Sequence, residues 1–124
     1  MATVATRLAK KSLDSPDEVR IKPKTRVEIA RVGEHTLMRG TLEPGWRWSE
    51  HLKPEVGTDL CEVGHLGYLL SGSMTIRLTD GTEETIVPGD FVEIPPGHDA
   101  WVIGDEPAVF LDFAGGEAYL KELG

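Results

Sequence analysis

The chain has 124 residues, a formal net charge of −8 and a single cysteine. This length is typical of one domain with one hydrophobic core. The acidic balance argues against nucleic acid as the main partner, because phosphate contacts need a basic surface. One cysteine cannot form an internal disulfide, no apolar run reaches the length of a membrane span, and the N-terminus lacks the apolar core of a signal peptide. We therefore expect a cytoplasmic protein without membrane association.

The first part of the chain differs in charge from the rest. Residues 1–31 contain eight basic and four acidic side chains. Residues 1–20 show no sustained periodicity and include Ser15-Pro16, which is typical of a loosely held segment. We predict an N-terminal arm over residues 1–25 and one domain over residues 26–124. The arm is interpreted as a solvated lead-in, with contact to an anion or to a second subunit as the alternative.

From Arg26 onward the pattern indicates short strands. Val27, Ile29 and Val32 alternate with polar residues, and the same alternation continues from Leu37 to Leu42. Later strands are predicted at residues 61–70, 74–78, 82–87, 91–94, 98–103 and 108–113. Asp80-Gly81 is a strong hairpin signal. Short strands without intervening helices favour an all-β sandwich or closed barrel.

Two other segments complete the prediction of local structure. Residues 52–59 contain Pro54 and Gly57 and are predicted to form a loop. Residues 117–123 are predicted to form a short C-terminal helical turn. The chain shows no internal repeat.

Three of the four histidines lie beside predicted turns, together with the only cysteine. Cys61 and His65 are four residues apart, so both face the same side of a strand. Imidazole and thiolate are good zinc ligands, and imidazole also binds iron, copper and nickel. A single histidine or cysteine is more often a structural residue, so the residues by themselves leave both interpretations open.

The sequence resembles the cupin superfamily over residues 35–113. Gly45 is followed by five residues and His51, and His65 is followed by six residues and Gly72, as in two parts of the first cupin motif. The second motif, Gly, five residues, Pro, one residue, Gly, is matched by residues 89–97. The run Pro-Pro-Gly-His-Asp-Ala-Trp at residues 95–101 is similar to that of small cupin-domain proteins. The resemblance implies a double-stranded β-helix of the jelly-roll type.

The resemblance also implies a metal site formed by His51, Cys61, His65 and His98. Cys61 stands where the family has a second histidine, and His65 replaces the family's glutamate. His98 lies two residues before the position of the last family histidine, which is Ala100 here. Asp59 and Asp99 are reserve ligands. Zinc is the expected metal, with iron, nickel, manganese and copper as alternatives, and the pairing of cupins through edge strands implies a homodimer.

These ligands leave two functions open. Four protein ligands would close a zinc shell, as in structural sites, whereas three histidines with Cys61 only lining the pocket would leave a position for substrate. We expect a metal-dependent enzyme acting on a small organic molecule. The alternative is a non-catalytic module that binds or senses a small ligand and holds a structural metal, with a storage-type protein as a weaker third option. The sequence does not decide whether the chain is an enzyme.

Side chains around the ligands are harder to interpret. Arg39, Arg47 and Arg77 are candidates for binding a carboxylate substrate, or else they lie on a solvated strand face. The three tryptophans belong either to the core or to the pocket lining. No catalytic residue is assigned. The acid–base candidates Glu50, Glu62 and Tyr68 are expected to face the side of the strand opposite to the proposed ligands.

Overall fold

The structure is a computed structural model that describes residues 7–120. Within these residues, nine strands and two helices of one turn each are present. The strands are β1 (Glu18–Lys22), β2 (Thr25–Val32), β3 (His35–Leu42), β4 (His65–Ser71), β5 (Ser73–Leu78), β6 (Glu83–Ile86), β7 (Phe91–Ile94), β8 (His98–Ile103) and β9 (Ala108–Asp112), and the helices are α1 (Trp48–His51) and α2 (Lys53–Val56). The predicted all-β jelly-roll architecture is confirmed. None of the described helices is long and apolar enough to cross a membrane.

The strands form two antiparallel sheets. The larger sheet has the order β1-β2-β3-β9-β4-β7, and the smaller sheet has the order β6-β5-β8. Strand β9 inserts between β3 and β4, so that Asp112 pairs with Met38 on one side and with Gly67 on the other. The C-terminal end of β9 therefore lies beside the beginning of β4.

The core lies between the two sheets and follows the alternation of each strand. In β9, Ala108, Phe110 and Asp112 are buried, while the residues between them are half-buried. In β4, His65 and Leu69 are buried and Tyr68 is exposed. Successive side chains of a strand face opposite sides, so these patterns define which residues enter the space between the sheets.

Part of the predicted arm belongs to the sheet. Residues 18–22 form β1, which pairs with β2 along its whole length. Arg20 is buried, with its side chain 1% exposed, and its guanidinium donates hydrogen bonds to the carbonyl oxygens of Gly116 and Tyr119. Strand β1 is therefore linked to the segment that follows β9. Residues 1–6 of the predicted arm lie outside the described residues.

The structure corrects three local predictions. Residues 53–56, predicted as loop, form α2, because Pro54 is compatible with a helix start and Gly57 ends the helix with φ of 88°. His51 lies in α1 instead of at a strand edge. Strand β4 begins at His65, and Cys61 makes only an isolated bridge to His98.

The C-terminal turn is present in part. The backbone N–H of Tyr119 donates to the carbonyl of Gly115 at 3.0 Å, which closes one helical turn. Residues 121–124 lie outside the described residues.

Candidate metal centre

Three of the four predicted ligands meet in the core. The ligand atoms of Cys61, His65 and His98 all lie within 4.8 Å of one another, and all three residues are buried. The Sγ atom of Cys61 is 3.9 Å from Nε2 of His65. The two imidazole rings have their centroids 5.3 Å apart in an edge-to-face arrangement.

The two sheets bring these residues together from different strands. His65 is the first residue of β4 in the larger sheet, and His98 is the first residue of β8 in the smaller sheet. Cys61 is tied to His98 by its backbone, since its N–H donates to the His98 carbonyl at 2.9 Å and its carbonyl accepts from Gly97 at 2.7 Å. The cluster therefore lies where the segment before β4 meets the beginning of β8.

Both histidines present Nε2 to the cluster. Nδ1 of His65 bonds to a carboxylate oxygen of Asp112, and Nδ1 of His98 donates to the Pro95 carbonyl at 2.7 Å. A histidine that donates through Nδ1 carries its lone pair on Nε2, the atom that binds a metal. Burial lowers the pKa of His98 to about 4, so this lone pair is available at neutral pH.

Burial also holds the cysteine in its neutral form. It raises the pKa of the Cys61 thiol to about 11. No described cation offsets this shift, and the negative charges of Glu62 and Asp112 add to it. A metal cation next to the sulfur would favour the thiolate, so the residue chemistry fits a metal ligand.

Sequence reasoning missed Asp112. This carboxylate is fully buried, bonds to His65, and accepts the backbone N–H groups of Ala114 and Gly115 at 2.9 Å each. Although burial raises the pKa of Asp112, the hydrogen bond from His65 and those from the backbone keep it below its ordinary value. The sequence pattern that could have identified Asp112 is the two-residue alternation of β9, which places it on the same buried side as Ala108 and Phe110.

Two glycines make room for this arrangement. A Cβ atom on Gly67 would lie 1.8 Å from Cζ of Phe110, whose ring packs edge-to-face with the His65 ring. A Cβ atom on Gly115 would lie 2.8 Å from Oδ2 of Asp112 and 3.0 Å from Nδ1 of His65. Both positions need glycine because a larger residue would displace a side chain of the site.

The other predicted ligands lie elsewhere. His51 is half-buried in α1, and its Nδ1 is 3.0 Å from the backbone N–H of Arg47. It does not belong to the group of three, and its role as a ligand stays a prediction. Asp59 is exposed and pairs with Lys53 at 3.4 Å.

Asp99 has a structural role at α1. Its Oδ1 accepts the backbone N–H groups of Ser49 at 3.1 Å and Ala100 at 2.9 Å. The bond to Ser49 satisfies one of the N–H groups that a helix start leaves unpaired.

A cavity that opens to the surface adjoins the cluster. Its wall is formed mainly by apolar and aromatic side chains from both sheets. Besides the three cluster residues, the wall consists of Met38, Gly40, Leu42, Trp46, Trp48, Met74, Ile76, Ile94, Ala100, Phe110 and Tyr119. Tyr119 stands edge-to-face to His65 with centroids 5.4 Å apart, and burial raises the pKa of its hydroxyl well above the ordinary value. The cluster is thus one wall of a largely apolar pocket.

The arginines considered for substrate binding do not line this cavity. Arg39 bonds to Glu28 at 3.0 Å, and Arg77 is exposed and lies 3.9 Å from Glu83. Arg47 lies over the ring of Trp101 at 4.3 Å. Their side chains are engaged on other surfaces of the molecule.

Comparison with known proteins agrees with this geometry. Residues 40–114 match the model of the cupin domain. The chain belongs to the cupin family. No curated protein sequence matches this cupin.

Solved structures with the same fold include enzymes and proteins of unknown function. The polyketide cyclase RemF from Streptomyces resistomycificus is 21% identical, with 87% of this chain and 79% of that chain covered and a TM-score of 0.62. A protein of unknown function (DUF1255) from Acidithiobacillus ferrooxidans is 17% identical, with 80% of this chain and 88% of that chain covered and a TM-score of 0.59. KdgF from Halomonas sp. is 18% identical, with 79% of this chain and 86% of that chain covered and a TM-score of 0.55. At these identities the likeness concerns the fold alone.

Proposed function

We propose that this cupin is a metal-dependent enzyme that acts on a small organic molecule. The observation that carries the proposal is the convergence of Cys61, His65 and His98 on the wall of a cavity. Three buried ligand atoms with a cavity beside them are the arrangement of a metal site that leaves a position for substrate. Zinc is the proposed metal, because thiolate and imidazole together are characteristic zinc ligands.

The chain's own residues would prepare the site in distinct ways. Asp112 and the Pro95 carbonyl orient the two imidazoles, so that both Nε2 atoms face the cluster before a metal arrives. The apolar wall excludes water and strengthens electrostatic interactions within the cavity. A bound zinc ion would supply Lewis-acid chemistry.

The second candidate function is a ligand-binding or sensing module with a structural metal. It is favoured by the described cavity lining, which offers no carboxylate, lysine or arginine as a general acid or base. Under this alternative His51 completes the coordination shell, as the sequence resemblance implies. An exchangeable water on the metal supports the enzyme, and a shell of four protein ligands supports the binding module.

Elemental analysis of purified variants tests the site. We expect about one zinc ion per chain in the wild type and loss of that ion in His65→Ala and His98→Ala. His35→Ala is the control, because His35 is exposed in β3 and should leave metal content unchanged. Retention of full metal content in both His65→Ala and His98→Ala, with a β-rich circular dichroism spectrum, would refute the site.

The same analysis separates the two functions. If Cys61→Ala loses its metal and His51→Ala keeps it, the site has three protein ligands and an open position, which supports the enzyme. If His51→Ala also loses its metal, the four-ligand shell and the binding module gain support.

We also propose a homodimer in the cytoplasm. Strand β7 is an edge of the larger sheet, and its Phe91 is 67% exposed opposite Tyr68 of β4. An exposed apolar edge of this kind is suited to pairing with a second copy. Sedimentation equilibrium should give twice the 13.6 kDa chain mass for the wild type and for Ile21→Glu, at the opposite edge, but the chain mass for Phe91→Glu. The single buried cysteine suits a reducing compartment.

A further inference from the structure

Tyr119 contributes a polar group to the cavity wall that the proposed reaction does not yet use. Its ring lines the cavity and stands edge-to-face to His65, with centroids 5.4 Å apart. Burial raises the pKa of its hydroxyl, and the negative charges of Cys61 and Asp112 raise it further. The hydroxyl therefore lies deep in the protein and within electrostatic reach of the cluster.

The Tyr119 hydroxyl is accessible from the cavity. Within residues 7–120 it makes no hydrogen bond, yet it is not one of the unpaired side-chain atoms that are sealed from solvent, which belong to Arg20, Trp46 and Trp48. Its oxygen therefore has accessible surface, and at this depth the cavity provides it. A phenol donates one hydrogen bond, so this donor is available to a molecule in the cavity.

The C-terminal turn holds Tyr119 in place before any molecule binds. Its backbone N–H donates to the Gly115 carbonyl at 3.0 Å, and its own carbonyl accepts a hydrogen bond from the buried Arg20 guanidinium. The residue is 7% exposed, and its ring packs against His65. A donor that is already fixed loses little conformational freedom when it binds a ligand.

The rest of the wall is apolar. Among the described residues no arginine, lysine or carboxylate lines the cavity, and the other side chains outside the cluster are aliphatic, aromatic or thioether groups. The indole N–H groups of Trp46 and Trp48 have no accessible surface, so they cannot bond to a molecule held there. Such a wall binds apolar surface and offers no countercharge to an anion. Of the described lining residues outside the cluster, Tyr119 alone offers an accessible side-chain donor.

We propose that Tyr119 is a substrate-binding residue whose hydroxyl donates a hydrogen bond to an oxygen of an uncharged, mainly apolar molecule seated against the cluster. This inference rests on the proposed function, because it names the substrate class of the same cavity and a residue that selects it. A carbonyl oxygen suits this donor, since it accepts a hydrogen bond without carrying a charge. The uncharged class replaces the carboxylate substrate that the three arginines suggested, because none of them lines the cavity.

Removing only the hydroxyl tests the proposal on the full chain. Tyr119→Phe keeps the ring that packs against His65 and removes the donor. Tyr68→Phe is the matched control, because Tyr68 is the other of the two tyrosines and is 37% exposed on β4. The probes are 1-indanone, which carries one carbonyl, indane, which has the same ring system without oxygen, and indane-1-carboxylate, which carries a charge. Affinities are measured by ligand-observed ¹H spectra on metal-free and on zinc-loaded protein.

We expect 1-indanone to bind Tyr119→Phe about three- to tenfold more weakly than the wild type, the usual effect of one lost hydrogen bond, and indane to bind both equally. Tyr68→Phe should bind both probes like the wild type.

A spectroscopic signature separates hydrogen bonding from a merely structural role. Labelling the tyrosine Cζ atoms with ¹³C gives one signal for each of the two tyrosines, and the two Phe variants assign them. The Tyr119 signal should move more with 1-indanone than with indane, and the Tyr68 signal should stay in place. If Tyr119→Phe fails to fold, these shifts in the wild type still decide.

Four results would overturn the inference. These are equal weakening of 1-indanone and indane in Tyr119→Phe, equal displacement of the Tyr119 signal by both probes, tighter binding of the carboxylate than of 1-indanone by metal-free protein, or no binding of 1-indanone at millimolar concentration. Tyr119→Phe should also hold as much zinc as the wild type, and loss of zinc would make Tyr119 a metal ligand instead.

The metal-free titration separates this inference from the proposed function. Protein that binds zinc at His65 but whose Tyr119 signal ignores 1-indanone keeps the metal site and refutes the role of Tyr119. Protein that binds 1-indanone through Tyr119 but takes up no metal refutes only the metal-dependent reaction.

Discussion

Replacing Asp112 with Asn tests whether the buried carboxylate prepares His65 for a metal. Asn has nearly the same shape, and its amide oxygen still accepts the backbone N–H groups of Ala114 and Gly115, which lie 2.9 Å from Oδ1 in the wild type. Its NH₂ group then faces Nδ1 of His65. Two donors cannot pair, so His65 is expected to move its proton to Nε2, the nitrogen that faces Cys61 at 3.9 Å.

The change removes the lone pair from the metal-binding atom without removing the imidazole. Loss of a partner that orients a ligating histidine lowers metal affinity about 10- to 100-fold, or about 1.4–2.7 kcal/mol. We therefore expect Asp112→Asn to bind zinc about 10- to 100-fold more weakly than the wild type. Competitive titration against a chromophoric chelator measures this difference, and circular dichroism confirms that both proteins are folded.

Asp99→Asn is the matched control. Asp99 is also buried and accepts two backbone N–H groups, but they belong to Ser49 and Ala100, and its carboxylate bonds to neither histidine of the cluster. Its zinc affinity should stay near the wild-type value. Wild-type affinity in Asp112→Asn, or an equal loss in both variants, would refute the orienting role.

Three further predictions concern the framework around the site. Gly67→Ala should lower the free energy of unfolding by about 1–3 kcal/mol in urea titrations, because its Cβ would overlap the Phe110 ring. Gly64→Ala should lower it less, because the Cβ there meets its nearest neighbour at 3.4 Å. Equal losses in the two variants would contradict the close approach of Gly67 and Phe110. Hydrogen bonds from Arg20 and Arg31 lower the pKa of Glu18 to about 2, so its stabilising effect should be complete above pH 4.5 and disappear as the pH falls toward 2. Thermal unfolding of Glu18→Gln should therefore depend less on pH in this range than that of the wild type. An unchanged dependence of the unfolding temperature on pH would contradict this prediction. Arg20→Ala removes the charged hydrogen bonds to the carbonyl oxygens of the C-terminal turn and should lower the free energy of unfolding by about 2 kcal/mol or more in urea titrations. A change below about 0.5 kcal/mol would show that other contacts hold this turn.

The sequence by itself predicted most of the strands and named the three residues of the cluster. The alternation in residues 26–42 and the turns around Asp80 predicted the antiparallel strands, because the two-residue period of a strand is a local property of the chain. The spacing of Cys61 and His65 left a structural role open, and it was the resemblance to the cupins that implied ligands at Cys61, His65 and His98. The identification of an all-β cupin followed from these local patterns.

Tertiary structure decided which other residues reach the site. Asp112 lies 47 residues from His65 along the chain, and only the insertion of β9 beside β4 brings the two together. The single helical turns around His51 were missed because a segment of four residues is too short to show a helical period. The apolar wall of the cavity also combines residues from strands of both sheets with Trp48 of α1. Local pattern determines which side of a strand a residue faces, but the partners it meets there depend on pairings between distant segments, which a single sequence does not encode in its spacing.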